Sequence, residues 1–350
     1  MSNIFRQILL LTILCTSNFA ITQEENLEKE TTLNLLKTGR RNCLEQKKII
    51  ITCEKAPNED VPSFGFGDAF MYCIVLYDYL ERYARAEVML CPPKPLIKFF
   101  KTCSDLSVFE EKDKKQDFIK IECKDLLKAI PNIHTFECKR RYLSKNCVWA
   151  NQEARKVLAH IKKMNIIPIL FTRQSSKLPK ELENNPAFNY LDRRSITREE
   201  LSNFLQTHNQ NLETVKIFNI QFEDQKEPDI YGTEKPIKLY PGYSKKNGAF
   251  INDAILMKAV IQAGGYIVSV ETAAGHVGMF IPEIDNTRKN VIFLLAKKHS
   301  CRWKPPFLKN NNTITWAKNV TLLIQENYGD WMPVLQKLVA HWYSIVKKNK

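Results

Sequence analysis

Glycine is scarce in this chain, 11 among 350 residues, and no long hydrophobic run follows the first 20. The 11 Gly and 16 Pro fall in no period, which excludes collagen-like and other low-complexity architectures. Three glycine-dependent signatures are missing: the G-x-G-x-x-G turn of dinucleotide sites, the G-x-x-x-x-G-K-[ST] phosphate loop and the G-x-S-x-G elbow of serine hydrolases. The nearest approach, Gly65-x-Gly67, stops there. No C-x-x-C pair occurs and the six His are far apart, so no metal site of the usual ligand spacing is expected. Internal repeats are absent. Beyond the N-terminus nothing reaches the roughly 20 apolar residues that span a bilayer.

What is present is a basic, globular composition. Hydrophobic residues make up 44% and charged residues 26%, enough for one large core or two medium ones, and a chain of this length usually divides into two domains. The 52 basic against 38 acidic residues give a formal charge of +14, which attracts phosphates, nucleotide diphosphates, anionic surfaces and nucleic acid alike. Lysines are interleaved with acids over 110–117, and no recognition helix or aromatic-plus-basic platform stands out, so nucleic acid is not the expected partner.

Residues 1–20 start with one cation, Arg6, continue through an apolar run at Ile8–Cys15 and end on small or polar residues to Ala20. This is the shape of a secretory signal, with an uncleaved anchor and membrane proximity as the alternative. A secretory, periplasmic or secreted location is expected, or a cytoplasmic one if the segment does not work as a signal. Nine cysteines lie beyond it, eight of them between 43 and 147, as for an N-terminal half stapled by disulfides in an oxidising compartment. The odd count leaves at least one thiol unpaired. Cys73, in the apolar stretch Phe70–Leu76, reads as a core residue. Asn311-Asn312-Thr313 and Asn319-Val320-Thr321 are glycosylation sequons in a eukaryotic host.

Along the chain, residues 21–42 read as a polar linker with weak helical pattern, and folding starts near Cys43. A strand at 48–52, a Pro/Gly loop at 57–67, a helix from Ala69 to Arg85 and a strand at 86–90 give an order that makes parallel sheets with ligands at the strands' carboxyl ends. A second series comprises a helix at 151–164, strands at 166–171 and 215–220, a helix at 251–262, and strands at 266–270 and 290–295. The expected division is an N-terminal α/β domain over 43–150, a second over 151–330 and a terminal amphipathic helix over 331–350.

The most informative stretch is Gly264–Phe280, where a buried strand ends in Glu271 and Thr272 and small residues open a helix. Small side chains let a ligand approach the backbone, and amides at a helix start favour negative charge, so a pyrophosphate can sit there with Thr272 and His276 donating. A strand-to-helix turn with His276 as a partnered packing residue explains the same pattern. Arg173, just past a strand, is a candidate phosphate ligand. Arg193 and Arg194 pair either with phosphates or with Asp192. Trp303, Trp316 and Trp331 read as packing residues rather than sugar platforms. Asp68 follows Gly67 where Asp commonly caps a helix.

The stretch Gly264–Phe280 resembles the donor-binding region of glycosyltransferase family nine and its heptosyltransferase-like relatives, where a strand ends in Asp-Thr or Asp-Ser and a His follows within a small-residue helix start. Glu271 stands here in place of the family's Asp. Leu191–Ile196, Phe250–Ala254, Arg302-Trp303 and Gly329–Trp331 resemble further family segments in the same order, while Phe171–Ser176 lacks the family's Gly-rich start. Phe64–Phe70 resembles the Gly-Asp loop that opens the acceptor domain.

The resemblance implies an α/β fold of two facing Rossmann-like domains (GT-B-like), with the C-terminal helix packing back on the first. It implies metal-independent sugar transfer from a nucleotide-diphospho-sugar to a hydroxyl of a glycan, lipid or protein acceptor, with no cofactor. Arg173, Ser195, Glu271, Thr272, Ala273, Gly275 and His276 would lie on the donor side, Gly65 and Gly67 would form the cleft loop, and Asp68 would be the base, typically contributing ~10² to 10⁴ in rate. Nucleotide sugars occur in the eukaryotic secretory lumen and not in the bacterial periplasm. A secreted binding module that keeps the fold and makes no bond is therefore the alternative.

Overall fold

The structure is a computed structural model, described here over residues 23–53, 66–109, 117–172, 239–281, 289–297 and 319–348, with short stretches within 196–219 and 308–317. The signal-like segment 1–20, Gly65, Arg173, Asp192–Ser195, Arg302-Trp303 and the sequon Asn311 lie outside the described residues. The chain is mixed α/β with two separate parallel sheets. It divides into two compact units that interleave in sequence: residues 1–55, 72–93 and 106–133 in one, and 56–71, 94–105 and 134–350 in the other.

The first unit is built on three parallel strands, β1 (Lys48–Thr52), β2 (Glu87–Cys91) and β3 (Ile119–Glu122), in the order β2-β1-β3. Ile49, Ile50 and Ile51 are all buried, which suits a central strand covered on both faces. The edge strand β2 alternates instead, with Glu87 exposed and Val88 and Leu90 inside. A helix over residues 23–37, α1, occupies much of the expected linker. It buries Thr32 and Leu36 and pairs Lys29 with Asp125 at 2.9 Å. Asp125 lies on α4 (Cys123–Ala129), which follows β3 directly.

Between β1 and β2 runs α2 (Phe66–Tyr83), which starts three residues before the helix read from sequence. Gly67 and Asp68 are therefore inside its first turn. Residues 66–71 belong to the second unit and the rest of α2 to the first. Phe70 is fully buried among aromatic rings of the second unit: Phe99 on α3 (Lys94–Cys103) at 4.6 Å between centroids, Phe250 at 5.4 Å and Tyr142 at 5.7 Å.

The second unit contains a five-stranded parallel sheet in the order β10-β7-β6-β4-β5, from β4 (Ile167–Thr172), β5 (Val215–Asn219), β6 (Tyr266–Ser269), β7 (Val291–Leu295) and β10 (Val320–Ile324). A two-stranded hairpin of β8 (Leu308–Lys309) and β9 (Thr313–Ile314) precedes β10. The strands β6 and β7 are buried along their whole length, whereas β10 alternates as an edge strand does. The chain leaves β4 for β5 on one side and β6 for β7 on the other. Adjacent β4 and β6 thus flank a topological switch point, where open α/β sheets bind ligands outside the carboxyl ends.

Helices cover this sheet on both faces. One face receives α6 (Ala249–Gln262) and α7 (Ala273–Met279), with α5 (Val148–Lys163) packed on α6 through the stripe Ala150, Ala154, Val157 and Ile161. Gly265, after α6, is required because a Cβ there would strike the carbonyl oxygen of Pro168 on β4. The other face receives α8 (Met332–Lys348), started by Asp330, whose carboxylate accepts the Met332 N–H at 3.2 Å.

Val334, Leu335, Leu338, Val339 and Trp342 of α8 form one core with Ile169, Phe171, Tyr266, Val268, Ile292 and Leu294. The terminal helix therefore covers the sheet of its own unit. The reason is apolar area: every second residue of β4, β6 and β7 forms one wide buried face, and α8 carries the stripe that fits it. Trp316 and Trp331 are buried, as the packing reading expects. Asn319, of the second sequon, is 2% exposed where the chain enters β10, so the folded protein offers no room for a glycan there.

Replacing Trp342 by Ala should lower stability by about 3–5 kcal/mol through the cavity left under α8. Met332→Ala, at a largely exposed position of the same helix, should change it by less than about 0.5 kcal/mol. Thermal melts of the two variants check the assignment of α8 to this sheet.

Candidate functional site

The parallel register of β4 and β6 sets Thr172 directly opposite Ser269, each at the carboxyl end of its strand. Both strands are apolar until that last residue, so a hydroxyl pair is created at the switch point. The Thr172 hydroxyl donates to Ser269 Oγ at 2.6 Å, and Ser269 donates to the Val270 carbonyl at 2.6 Å. Thr272 Oγ1 closes the group, 2.8 Å from Ser269 Oγ and 3.3 Å from Thr172 Oγ1. Thr172 and Ser269 are buried, while Glu271, Thr272 and Ala273 remain partly accessible.

Thr272 is also the N-cap of α7, with extended backbone and its hydroxyl accepting the Gly275 N–H. Such a cap needs a short oxygen-bearing side chain, and the residues after it must be small for another reason. A Cβ on Gly275 would fall 2.6 Å from Ser269 Oγ and 2.6 Å from a ring carbon of Phe293. Gly275 thus lets α7 lie directly on β6 and β7, and Gly278 does the same over Ile267 at 3.1 Å. The small residues that suggested an approaching ligand are first of all the seat of the helix on the sheet.

His276 points into the protein from α7. It is 2% exposed, with its ring 5.7 Å from that of Phe293 and Gly67 on its other side. A Cβ at Gly67 would strike His276 Cδ2 and lie 3.1 Å from the Ala273 Cα, so the first turn of α2 is seated on the first turn of α7. Burial lowers the His276 pKa to about 4, and the Glu271 carboxylate opposes that shift only in part. The imidazole is neutral at pH 7 and offers hydrogen bonds but no charge.

Of the residues expected from sequence, the structure brings Gly67, Glu271, Thr272, Ala273, Gly275 and His276 together, with Asp68 following Gly67 in the same helical turn. Arg173, Ser195 and Gly65 lie outside the described residues. Sequence reasoning passed over Thr172 and Ser269. The available signal was that two apolar strands each end in a hydroxyl residue.

It also passed over Asp253, fully buried on α6, whose carboxylate accepts the Tyr243 hydroxyl at 3.0 Å. Desolvation raises its pKa to about 7, with the Tyr243 hydrogen bond working against the rise. Asn252 beside it locks the turn before α6, donating to the carbonyls of Ser244 at 2.7 Å and Gly248 at 3.1 Å. Among the described residues one group of metal-ligand type comes together, Cys53, Cys73 and Cys123 of the first unit.

No family model matches the chain, and no curated protein matches it in sequence. Among solved structures the chain is similar to a glycosyl transferase family 9 protein from Veillonella parvula DSM 2008, over 81% of this chain and 87% of that one, at 10% identity and a TM-score of 0.46. A likeness this loose transfers no residue's role.

His276 and Asp253 should leave opposite marks on stability against pH. With a folded pKa near 4 against an ordinary 6.5, His276 makes the unfolded chain the better proton binder as pH falls from about 6.5 to 4, so stability is lost by up to about 1.4 kcal/mol per pH unit. Asp253, raised from 3.8 to about 7, holds a proton that the unfolded chain releases, so its contribution is lost as pH rises through 7. Relative to the parent, His276→Gln should melt progressively higher as pH is lowered from 6.5 to 4.5, and Asp253→Asn progressively lower. Parallel melting-temperature profiles for parent and variants would refute both assignments.

Proposed function

We propose that the chain is a glycosyltransferase that holds a nucleotide-diphospho-sugar at the carboxyl edge of the five-stranded sheet and transfers the sugar to an acceptor hydroxyl without a metal. The observation that carries this reading is the convergence, at the β4/β6 switch point, of the Thr172–Ser269–Thr272 hydroxyls with the start of α7 and the Gly67-Asp68 turn. Ligands of open parallel sheets bind at that place, and the Gly264–Phe280 stretch, which resembles the family's donor region, supports the reading.

In this mechanism Thr272 and the backbone of Ala273 receive the diphosphate, with Glu271 and the neutral His276 fixing the turn. Arg173 and Ser195 complete the donor side. Asp68, beside Gly65 and Gly67, takes the proton of the acceptor hydroxyl as that oxygen forms its bond to the sugar and the diphosphate leaves. Positioning and stabilisation of the leaving charge supply most of the rate. Glycan, lipid and protein hydroxyls are the acceptor classes, and a secretory compartment with membrane proximity fits the N-terminal segment and the cysteines.

A second reading, a non-catalytic binding module on the same fold, is favoured by one observation. Thr272 already serves its own cap and hydroxyl cluster, and His276 is packed and uncharged, so both have structural work without a substrate.

A thermal-shift panel of UDP, GDP, ADP, CMP and their sugar conjugates separates the readings. A ligand at 100 times its Kd should stabilise by ~2.7 kcal/mol. Thr272→Val should abolish that shift, whereas Thr272→Ser, which keeps the oxygen, should retain it. Asp68→Asn should keep the shift and lower turnover by ~10² to 10⁴. Binding without turnover in the parent would establish the module, and no shift with any nucleotide would overturn the site.

A further inference from the structure

Three sulfur atoms converge at the carboxyl edge of the three-stranded sheet. Cys53 follows β1, Cys123 opens α4 after β3, and Cys73 lies on α2, all within the first unit. The Sγ atoms of Cys53 and Cys123 are at bonding distance, with Cα atoms 5.6 Å apart, the separation of an ordinary disulfide. Cys73 Sγ is 3.3 Å from Cys53 Sγ, and all three sulfurs lie within 4.8 Å of one another. Cys73 and Cys123 are buried to 0% and 1% exposure. Cys53 thus touches two sulfurs and can bond only one.

We propose that Cys53, Cys73 and Cys123 form an internal thiol–disulfide exchange site with Cys53 as the shared sulfur. The Cys73 thiolate attacks Cys53 Sγ, the Cys53–Cys73 bond forms as the Cys53–Cys123 bond breaks, and Cys123 leaves as the thiolate and takes up the proton that Cys73 gave. One disulfide and one thiol are present before and after, so no oxidant or reductant is consumed.

The two isomers tether the end of β1 to different elements, to α4 across 70 residues in one and to α2 across 20 in the other. Burial, with Cys91 acting in the same direction, holds the Cys73 thiol well above its ordinary pKa, so the attacking thiolate is rare and the exchange slow. Burial also shields Cys73 and Cys123 from external thiols, while Cys53 is partly accessible, and the Cys73 sulfur 3.3 Å away is the partner already in place. This inference is independent of the nucleotide reading.

The test is peptide mapping of the full chain under non-reducing conditions. Protein equilibrated at pH 8 is quenched in acid, its thiols are blocked under denaturing conditions, and linked peptides are identified by mass spectrometry. The parent should give both Cys53–Cys123 and Cys53–Cys73 peptides. Cys73→Ser should lose the second completely. Cys123→Ser, oxidised with glutathione disulfide, should replace the first by the second. A parent with Cys53–Cys123 as its sole linkage overturns the proposal even if neither variant folds. So does a Cys123→Ser protein whose Cys53 carries glutathione, or a parent that holds one equivalent of zinc on three free thiols.

Discussion

The contact between α7 and the β6–β7 pair fixes the position of every other group at the switch point. It exists because residue 275 has no side chain, so the helix can come down onto Ser269 and Phe293. With α7 at that height, Thr272 reaches the Ser269 and Thr172 hydroxyls, and His276 is carried inward to meet Gly67. The arrangement is one of mutual close approach between small residues, in which each absent side chain makes room for a neighbour's polar group. Interiors packed this tightly transmit small displacements, so the hydroxyl cluster and the seat of α2 are set together.

Desolvation governs protonation in this region. Burial pushes His276 down, so that it is uncharged at neutral pH, and Asp253 up, so that it is neutral below about pH 7. Holding two such groups neutral avoids burying charge, which costs far more than burying a hydrogen-bonded neutral group. Counter-charge for an anionic ligand then has to come from backbone amides and from cationic side chains nearer to solvent.

The sequence shows those elements whose apolar residues decide their own burial. Triple isoleucine marks β1, and uninterrupted apolar runs mark β4, β6 and β7, within a residue or two of the observed bounds. Elements whose identity depends on neighbours escape such reading. Lys94–Cys103 follows two prolines and is half lysine and aromatic, β3 is four residues with one face open, and β10 was visible only as a sequon. The amphipathic stripe of α8 was legible but its partner was not, since a stripe specifies an apolar face and not which one. The turn at Glu271–His276 stood out through its residue types. Its hydroxyl partner Thr172 lies a hundred positions away, and only strand register brings it there.

The order in which the chain is made differs from the order in which its parts find each other. Phe70 is synthesised early, yet its partner Phe250 belongs to α6, which at 5–20 residues per second emerges roughly ten to forty seconds later. The sheet face of β4, β6 and β7 likewise has no cover until Trp331 to Trp342 have left the ribosome. The first unit has its three strands by residue 122 and does not share this delay. A nascent chain of this protein therefore exposes the apolar face of β4, β6 and β7 from the emergence of these strands until α8 follows them, an interval in which a holding chaperone would act.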